Sequence, residues 1–358
     1  MVDEVSGDPI EDRISLNSSL PDIHPRVASG GLAGLVGRPA RLFPTLGVDG
    51  VLLSLQIAAE GFNSLSLEAR LGPIPGFPAS FAPLDLGDVN LRRKPVELSG
   101  RTVQRNGLSP VVVAGATVDI VGYWRRIPQA NVNPAAVMEP PNLLSLDPPL
   151  YARRELGVGT VRRREPTAVA GADKTLQRPV AAGERRLHLS DRLGLNTNGL
   201  LTVDTTHPDR LEHLLISDMD SSSSSDQAGW ITLAHPLAYS HGSDARCQPA
   251  NLGLPGPSIA MTQEAIPGDV TIAPATLAGL GDRITVEIDS GLGPAEYHQA
   301  RLYRVDSDAG GFFRLPPLHR VAMILIHAER IGLSSPTDER YVPSNSRSDQ
   351  HLTISFPP

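Results

Sequence analysis

One cysteine, two lysines and an aromatic share of only 4% set the first limits on this 358-residue chain. A lone Cys247 cannot close an intrachain disulfide, so no covalent staple is available to the fold. The basic residues are almost all arginine, with lysine only at Lys94 and Lys174, and they are outnumbered: 39 acidic against 32 basic residues leave a net charge of −7. That balance excludes a general nucleic-acid surface, which needs a basic face. Long apolar runs are missing too. The run from Val51 to Ala59 is interrupted by Gln56 and falls far short of the ~20 residues that cross a bilayer as a helix, so no membrane span is expected. The opening Met1-Val2-Asp3-Glu4 lacks the basic and apolar regions of a secretory signal. Synthesis in the cytoplasm is the expectation, with any release outside the cell occurring inside an assembled particle or virion.

What the chain has in abundance is turn chemistry. Thirty-three glycines and 33 prolines suit short strands joined by many turns and would break long helices, so the expected class is all-β. The length allows more than one core. Val51 to Ile57 and Leu65 to Leu71 read as strands, the second with clean alternation, and Ala40 to Phe43 is a third candidate. Glu184 to Leu189, Gly199 to Asp204, Glu212 to Ser217, Trp230 to Leu233 and Ile284 to Ile288 form a later set at regular spacing. Ile127 to Tyr151, with Pro140-Pro141 and Pro148-Pro149, reads as a long irregular passage, and Ser221 to Ser225 as a solvated, flexible hairpin tip.

Two distant stretches, Gly100 to Val121 and Tyr297 to Ala328, read as halves of one small sandwich. In the first, Asn106-Gly107 supplies a tight turn and Gly115 relieves the backbone before the next strand. In the second, a strand from Ala300 to Val305 leads into the Asp306 to Gly311 turn, a return at Phe312-Phe313-Arg314-Leu315, and a further strand from Val321. The order Gly100-Arg101-Thr102-Val103, Pro110-Val111-Val112-Val113-Ala114-Gly115-Ala116, then an Asp-rich turn, Phe312 and Leu315-Pro316 resembles the carboxypeptidase-regulatory-like family of transthyretin-type β-sandwiches. Val112-Val113 and Gly311 each lengthen the family pattern and are tolerable as bulges or longer turns. The resemblance covers about a sixth of the chain, and it implies a packing module without catalytic residues. Within the later strand set, Ile231-Thr232-Leu233-Ala234 followed by Pro236-Leu237 and His241 resembles small β-modules of phage tail and tail-like particle proteins.

The expected organisation is therefore a flexible arm at residues 1–25 and an N-terminal β-domain at 26–90. A split sandwich follows at 91–126 plus 295–358, enclosing an inserted barrel-like or sandwich module at 127–294.

Chemistry is harder to find. His188, His207, His213, His235 and His241, with Asp209, Glu212 and Asp218 nearby, invite a zinc or calcium reading. No HExxH spacing and no cysteine pair accompany them, and Pro208 and Pro236 directly follow histidines as turn residues would, so no metal site is expected. Tyr239 to Asp244 contains Ser240, His241 and Asp244, but neighbours in one turn do not converge as nucleophile, base and orienter, and the stretch reads as a polar hairpin. Cys247 reads as a small, partly buried residue. The glycines from Gly30 to Gly37 lack the Lys-Ser/Thr ending of a phosphate loop and read as a connector. Arg162-Arg163-Arg164, preceded by Arg153-Arg154, offers a cationic stretch to acidic partners, against the commoner reading of a solvated run.

No catalytic, cofactor-binding or metal-binding residue is assigned, and an enzyme is not expected. The two resemblances imply a structural component of a phage tail-like particle, a contractile injection system, sitting as a baseplate-, cap- or fibre-associated adaptor in a large hetero-oligomer. The alternative is a carbohydrate-binding or adhesive β-protein, for which Trp124 and Trp230 are the available platforms.

Overall fold

The computed structural model describes residues 1–3, 9–10, 14–20, 23–28, 30–37, 51–74, 77–81, 85–106, 109–124, 138–152, 159–289, 291, 293–318, 321, 323–333, 339–341 and 349–357. Among them there is no helix: the chain is an all-β, multi-domain protein. It divides into two compact units, Met1–Pro141 with Val305–Pro358, and Asn142–Arg304. The second is inserted in the first.

In the first unit the distant segments pair. Strand Glu97–Asn106 lies antiparallel to Ser109–Val112 and to Phe312–Arg314, and parallel to Asp349–Phe356. A second sheet has the order Arg304–Asp306, Thr117–Trp124, Met323–Glu329, Glu339–Tyr341. Gly100 must be glycine here, because a Cβ would meet the Phe313 ring at 2.7 Å and the Leu352 carbonyl oxygen. Gly115 takes φ 66°, where a side chain is strained. The buried hydroxyl of Thr102 donates to the Val113 carbonyl at 2.5 Å and lies 3.1 Å from Ser307 Oγ, tying the two halves across a gap of 205 residues.

The start of the chain departs from the expected flexible arm. Val2–Asp3 pairs with Asn90–Leu91, Ser15–Ser18 with Val51–Ala58, and Ile23–Val27 with Ala33–Gly37. The reason is apolar: Ile10, Leu16 and Ile23 are buried among Leu53, Leu55, Ile57, Phe62 and Leu91. Gly30–Gly37 is accordingly one arm of a hairpin, with Gly30 and Gly31 both at positive φ in its turn, rather than a connector. The Ala40 to Phe43 candidate lies outside the described residues.

Among the described residues the inserted unit is built on a 13-stranded sheet. Arg186–Leu189, Leu200–Val203, Glu212–Met219, Gly229–Leu233 and Ile284–Asp289 fall where alternation places strands. Their inward residues form one apolar cluster around Leu187, Leu201, Leu214, Ile216, Ile231 and Cys247, and a second around Leu144, Val161, Val286, Ile288 and Ala300. Each such fully buried aliphatic side chain contributes about 1.5–3 kcal/mol.

Two boundaries move. Glu296–Leu302, expected in the split sandwich, pairs instead with Ile284–Asp289 and with Leu144–Asp147 inside the inserted unit. Leu144–Asp147 is itself a strand within the passage expected to be irregular, with Leu144 and Leu146 buried. Both shifts follow from burial, since Glu296, His298 and Ala300 all point into the interior.

Candidate functional site

Several titratable side chains of the inserted unit converge in its interior. Glu212 opens the strand Glu212–Met219 on the inward face, in phase with Leu214 and Ile216, and its side chain is 0% exposed. Asp204 ends the Leu200–Val203 strand at φ 59°, a left-handed conformation that Asp tolerates better than most residues. Between these carboxylates lies the His241 ring, with Nε2 2.9 Å from Glu212 Oε1 and Nδ1 3.2 Å from Asp204 Oδ2. Two carboxylate acceptors require both ring nitrogens to donate, which is the imidazolium form. Burial lowers the affinity of His241 for its proton, but its hydrogen bonds to the Glu212 and Asp204 carboxylates outweigh it and raise the pKa above the ordinary histidine value. Burial acts to raise the pKa of Asp204, and the bonds from His207 and His241 reverse that, leaving it lowered.

Glu212 also accepts from the Tyr151 hydroxyl at 2.6 Å and from the backbone N–H groups of Ala238 at 2.8 Å and Tyr239 at 3.1 Å. The network continues from Tyr151. Its backbone N–H donates to Glu296 Oε2 at 2.8 Å, and the same oxygen lies 3.0 Å from His298 Nε2. His298 Nδ1 is 2.9 Å from the Pro148 carbonyl. The Tyr151 ring stacks on His235 with centroids 5.5 Å apart and meets His298 at 5.3 Å. The Tyr239 hydroxyl donates to Asp147. Burial first, then the Glu212 charge, push the Tyr151 phenol far above its usual range, so it stays a donor.

No family model, curated protein or solved structure matches this chain. What the cluster does has to be argued from its own geometry. Among the described residues no group of three His, Cys, Asp or Glu side chains is placed to hold a metal ion. The chemical reason is visible at His241, whose two nitrogens are both committed to carboxylates and leave no lone pair for a cation. Nucleophilic chemistry is equally poorly served. Ser240 Oγ accepts from the Ala182 N–H at 3.0 Å and His241 faces Asp204 and Glu212, so Ser240, His241 and Asp244 do not form a triad; nor is the segment merely a surface hairpin, since His241 is buried. Cys247 is fully buried, and desolvation pushes its thiol up to about 12, which keeps it protonated and unreactive.

The five histidines singled out by sequence therefore part company. His241 joins the network and His235 stacks on it, while His207 binds Asp204 at 2.7 Å from an exposed position. His213 is separately buried and bonds Thr202 Oγ1 at 3.0 Å, and His188 meets the Trp230 ring at 4.8 Å. Sequence reasoning missed His298, Glu296, Tyr151, Asp147 and Asp204.

The arginine run is spent internally. Arg162 pairs with Glu287, Arg164 Nε lies 3.5 Å from the other oxygen of Glu287, and Arg163 binds Glu165 at 3.1 Å. The expected offer to acidic partners at Arg162 to Arg164 is thus already taken up, and Arg153-Arg154 lies outside the described residues. The serine run is likewise held: Arg192 Nη2 donates to the Ser223 carbonyl at 2.9 Å, to Ser223 Oγ at 2.6 Å and to the Ser224 carbonyl at 2.8 Å. It is a clamped loop, not a loose tip.

A cavity of about 260 Å³ lies elsewhere, in the first unit, lined mainly by Leu16, Ile23, Leu53, Leu55 and Ile57 with Asp85 and Asp88 also on its wall.

Proposed function

We propose that this chain is a non-catalytic structural component of a phage tail-like particle, a contractile injection system, acting by protein–protein scaffolding as a baseplate-, cap- or fibre-associated adaptor. The observation that carries the non-catalytic part is the closure of the buried network. The side chains of Glu212, His241, Glu296 and His298 are all 0% exposed and hydrogen-bond to one another, to Asp204, to Tyr151 or to backbone groups. A general acid or base has to reach a substrate atom, and these groups reach only their own neighbours. A closed, satisfied network instead fixes the relative positions of strands and rigidifies the unit.

Scaffolding is supported by an open strand edge. Asp349–Phe356 pairs with Glu97–Asn106 along eight residue positions, and among the described residues no strand covers its other side. Such an edge is a template for pairing with a neighbouring subunit. The particle setting rests on the resemblance of the split sandwich to the regulatory-like family and of the inserted strands to tail-particle modules. The carbohydrate-binding alternative gains nothing from its tryptophans: Trp124 is buried, and Trp230 is already occupied by the side chains of Arg178, Arg186 and His188.

The test is co-purification from the native source. The chain is expected at fixed stoichiometry with sheath-and-tube particles, with labelled antibody decorating one end. Recovery only as a free monomer, with none on particles, would overturn the proposal.

A further inference from the structure

Several arginines among the described residues are closed by carboxylates: Arg93 on Asp3, Arg162 and Arg164 on Glu287, Arg163 on Glu165, Arg314 on Glu97. Arg178 and Arg186 are different. Both are exposed, and both guanidinium groups sit over the ring of Trp230, at 5.8 Å and 4.9 Å from its centroid. Among the described residues neither forms an ion pair. The neighbouring strands explain the placement, since Arg186 and His188 on one strand face Thr232 and Trp230 on the next. Beside the indole, His188 Nδ1 is buried without a hydrogen-bond partner.

From this geometry we infer that Arg178, Arg186 and Trp230 form a docking surface for an acidic segment of a protein partner, whose carboxylates would pair with the two guanidinium groups. A cation over the indole ring is restrained by that contact, so less side-chain freedom is lost when a carboxylate binds. Its N–H fork matches a carboxylate in two-point contact. Tryptophan and arginine are also the residue types that dominate binding energy at protein interfaces. The Asp220 carboxyl nearby is held below its usual range first by its hydrogen bonds with Ser222, with smaller contributions from Arg192 and Arg186. Yet Asp220 accepts from the Ser222 N–H at 2.8 Å and closes no bridge to Arg186. A nucleic acid is the poorer match, because two guanidinium groups cannot follow a phosphate backbone and the chain as a whole carries −7.

This surface deepens the scaffolding function by naming the chemistry of one partner, and it rests on that function for its biological setting. The binding itself is measurable without the particle. The full chain would be titrated with an oligoglutamate peptide while Trp230 fluorescence is followed, with Trp124, buried in the other unit, as a constant background. An oligoglutamine peptide, inorganic phosphate and a single-stranded oligonucleotide would be run alongside. A saturable change is expected with oligoglutamate only, weakened by salt, absent in Trp230→Phe, and at least about tenfold weaker in Arg178→Gln/Arg186→Gln, which removes both charge-assisted contacts when the loss of one already suffices for that factor. An unchanged thermal unfolding midpoint shows that the paired variant is folded. No saturable response to oligoglutamate, an equal response in the folded variant, or binding of phosphate or oligonucleotide as tight as that of the peptide would overturn the inference. Failure to find the chain on particles, with peptide binding intact, would remove the setting and leave the surface.

Discussion

Replacing Glu212 by Gln should destabilise the inserted unit by about 3–5 kcal/mol, although the two side chains have nearly the same volume. Glu212 accepts four hydrogen bonds, two at each oxygen: Tyr239 N–H and His241 at Oε1, Tyr151 hydroxyl and Ala238 N–H at Oε2. A carboxamide has one oxygen. Whichever way it is turned, its NH2 faces a backbone N–H, of Ala238 in one orientation and Tyr239 in the other, and that donor is stranded in the interior. A stranded buried donor costs about 1–3 kcal/mol. The imidazolium of His241 also loses one of its two counter-charges, and breaking a buried pair by removing one partner costs about 3–5 kcal/mol in all. The assay is urea unfolding followed by Trp230, which reports on the inserted unit; a single free energy for a two-unit chain would not be defined. The pH dependence carries a second check. Because the folded pKa of His241 is raised, its contribution is complete below the unfolded value of ~6.5 and is lost as pH rises through the folded value, so the cost of Glu212→Gln should shrink toward alkaline pH. A loss below about 1 kcal/mol at neutral pH, no larger than that of the exposed control Glu184→Gln, would refute the reasoning.

Burial, with a smaller effect from His298, lowers His213 to about 4, so the inserted unit should lose up to about 3 kcal/mol as pH falls from ~6.5, where the unfolded histidine takes up its proton, to about 4. His213→Asn, which can still accept from Thr202, should flatten that slope by about one proton; an unchanged slope in urea titrations across this range would contradict the assignment. In the first unit, Gly100→Ala drives a methyl group into the Phe313 ring and the Leu352 carbonyl and should cost about 1–3 kcal/mol, seen as a lower midpoint in the near-ultraviolet signal of Trp124. A wild-type midpoint would mean that these three strands do not meet at Gly100.

Strands whose inward positions are all apolar, such as Leu65–Leu71 and Ile284–Asp289, could be placed from alternation alone. The joining of Gly100 to Phe313 was legible as well, because turn residues at Asn106-Gly107, Gly115 and Asp306 to Gly311 mark the hairpin ends on both sides of the insertion. The network was not legible, for a physical reason: its members come from segments whose separation in sequence carries no periodic signal. Tyr151 meets Glu212 across 61 residues and Glu296 across 145. One local cue was present in Glu296-Tyr297-His298-Gln299-Ala300, where alternation puts a carboxylate and an imidazole on the same face as a buried alanine. An ionisable pair on the apolar face of a strand is affordable only when both find partners inside. The arginines show the converse. Arg162 to Arg164 drew notice because they are consecutive, yet Arg162 stands directly opposite Glu287 in the pairing register, so its charge is met within the sheet. Arg178 stands alone in sequence and Arg186 only in the pair Arg185-Arg186; Arg186 reaches Trp230 because the strand containing His188 lies beside the strand containing Trp230, and Arg178 because the Gln177 N–H donates to the His188 carbonyl. Availability for a partner is thus decided by what the sheet register places opposite a charge, which neighbouring residues in the chain do not report.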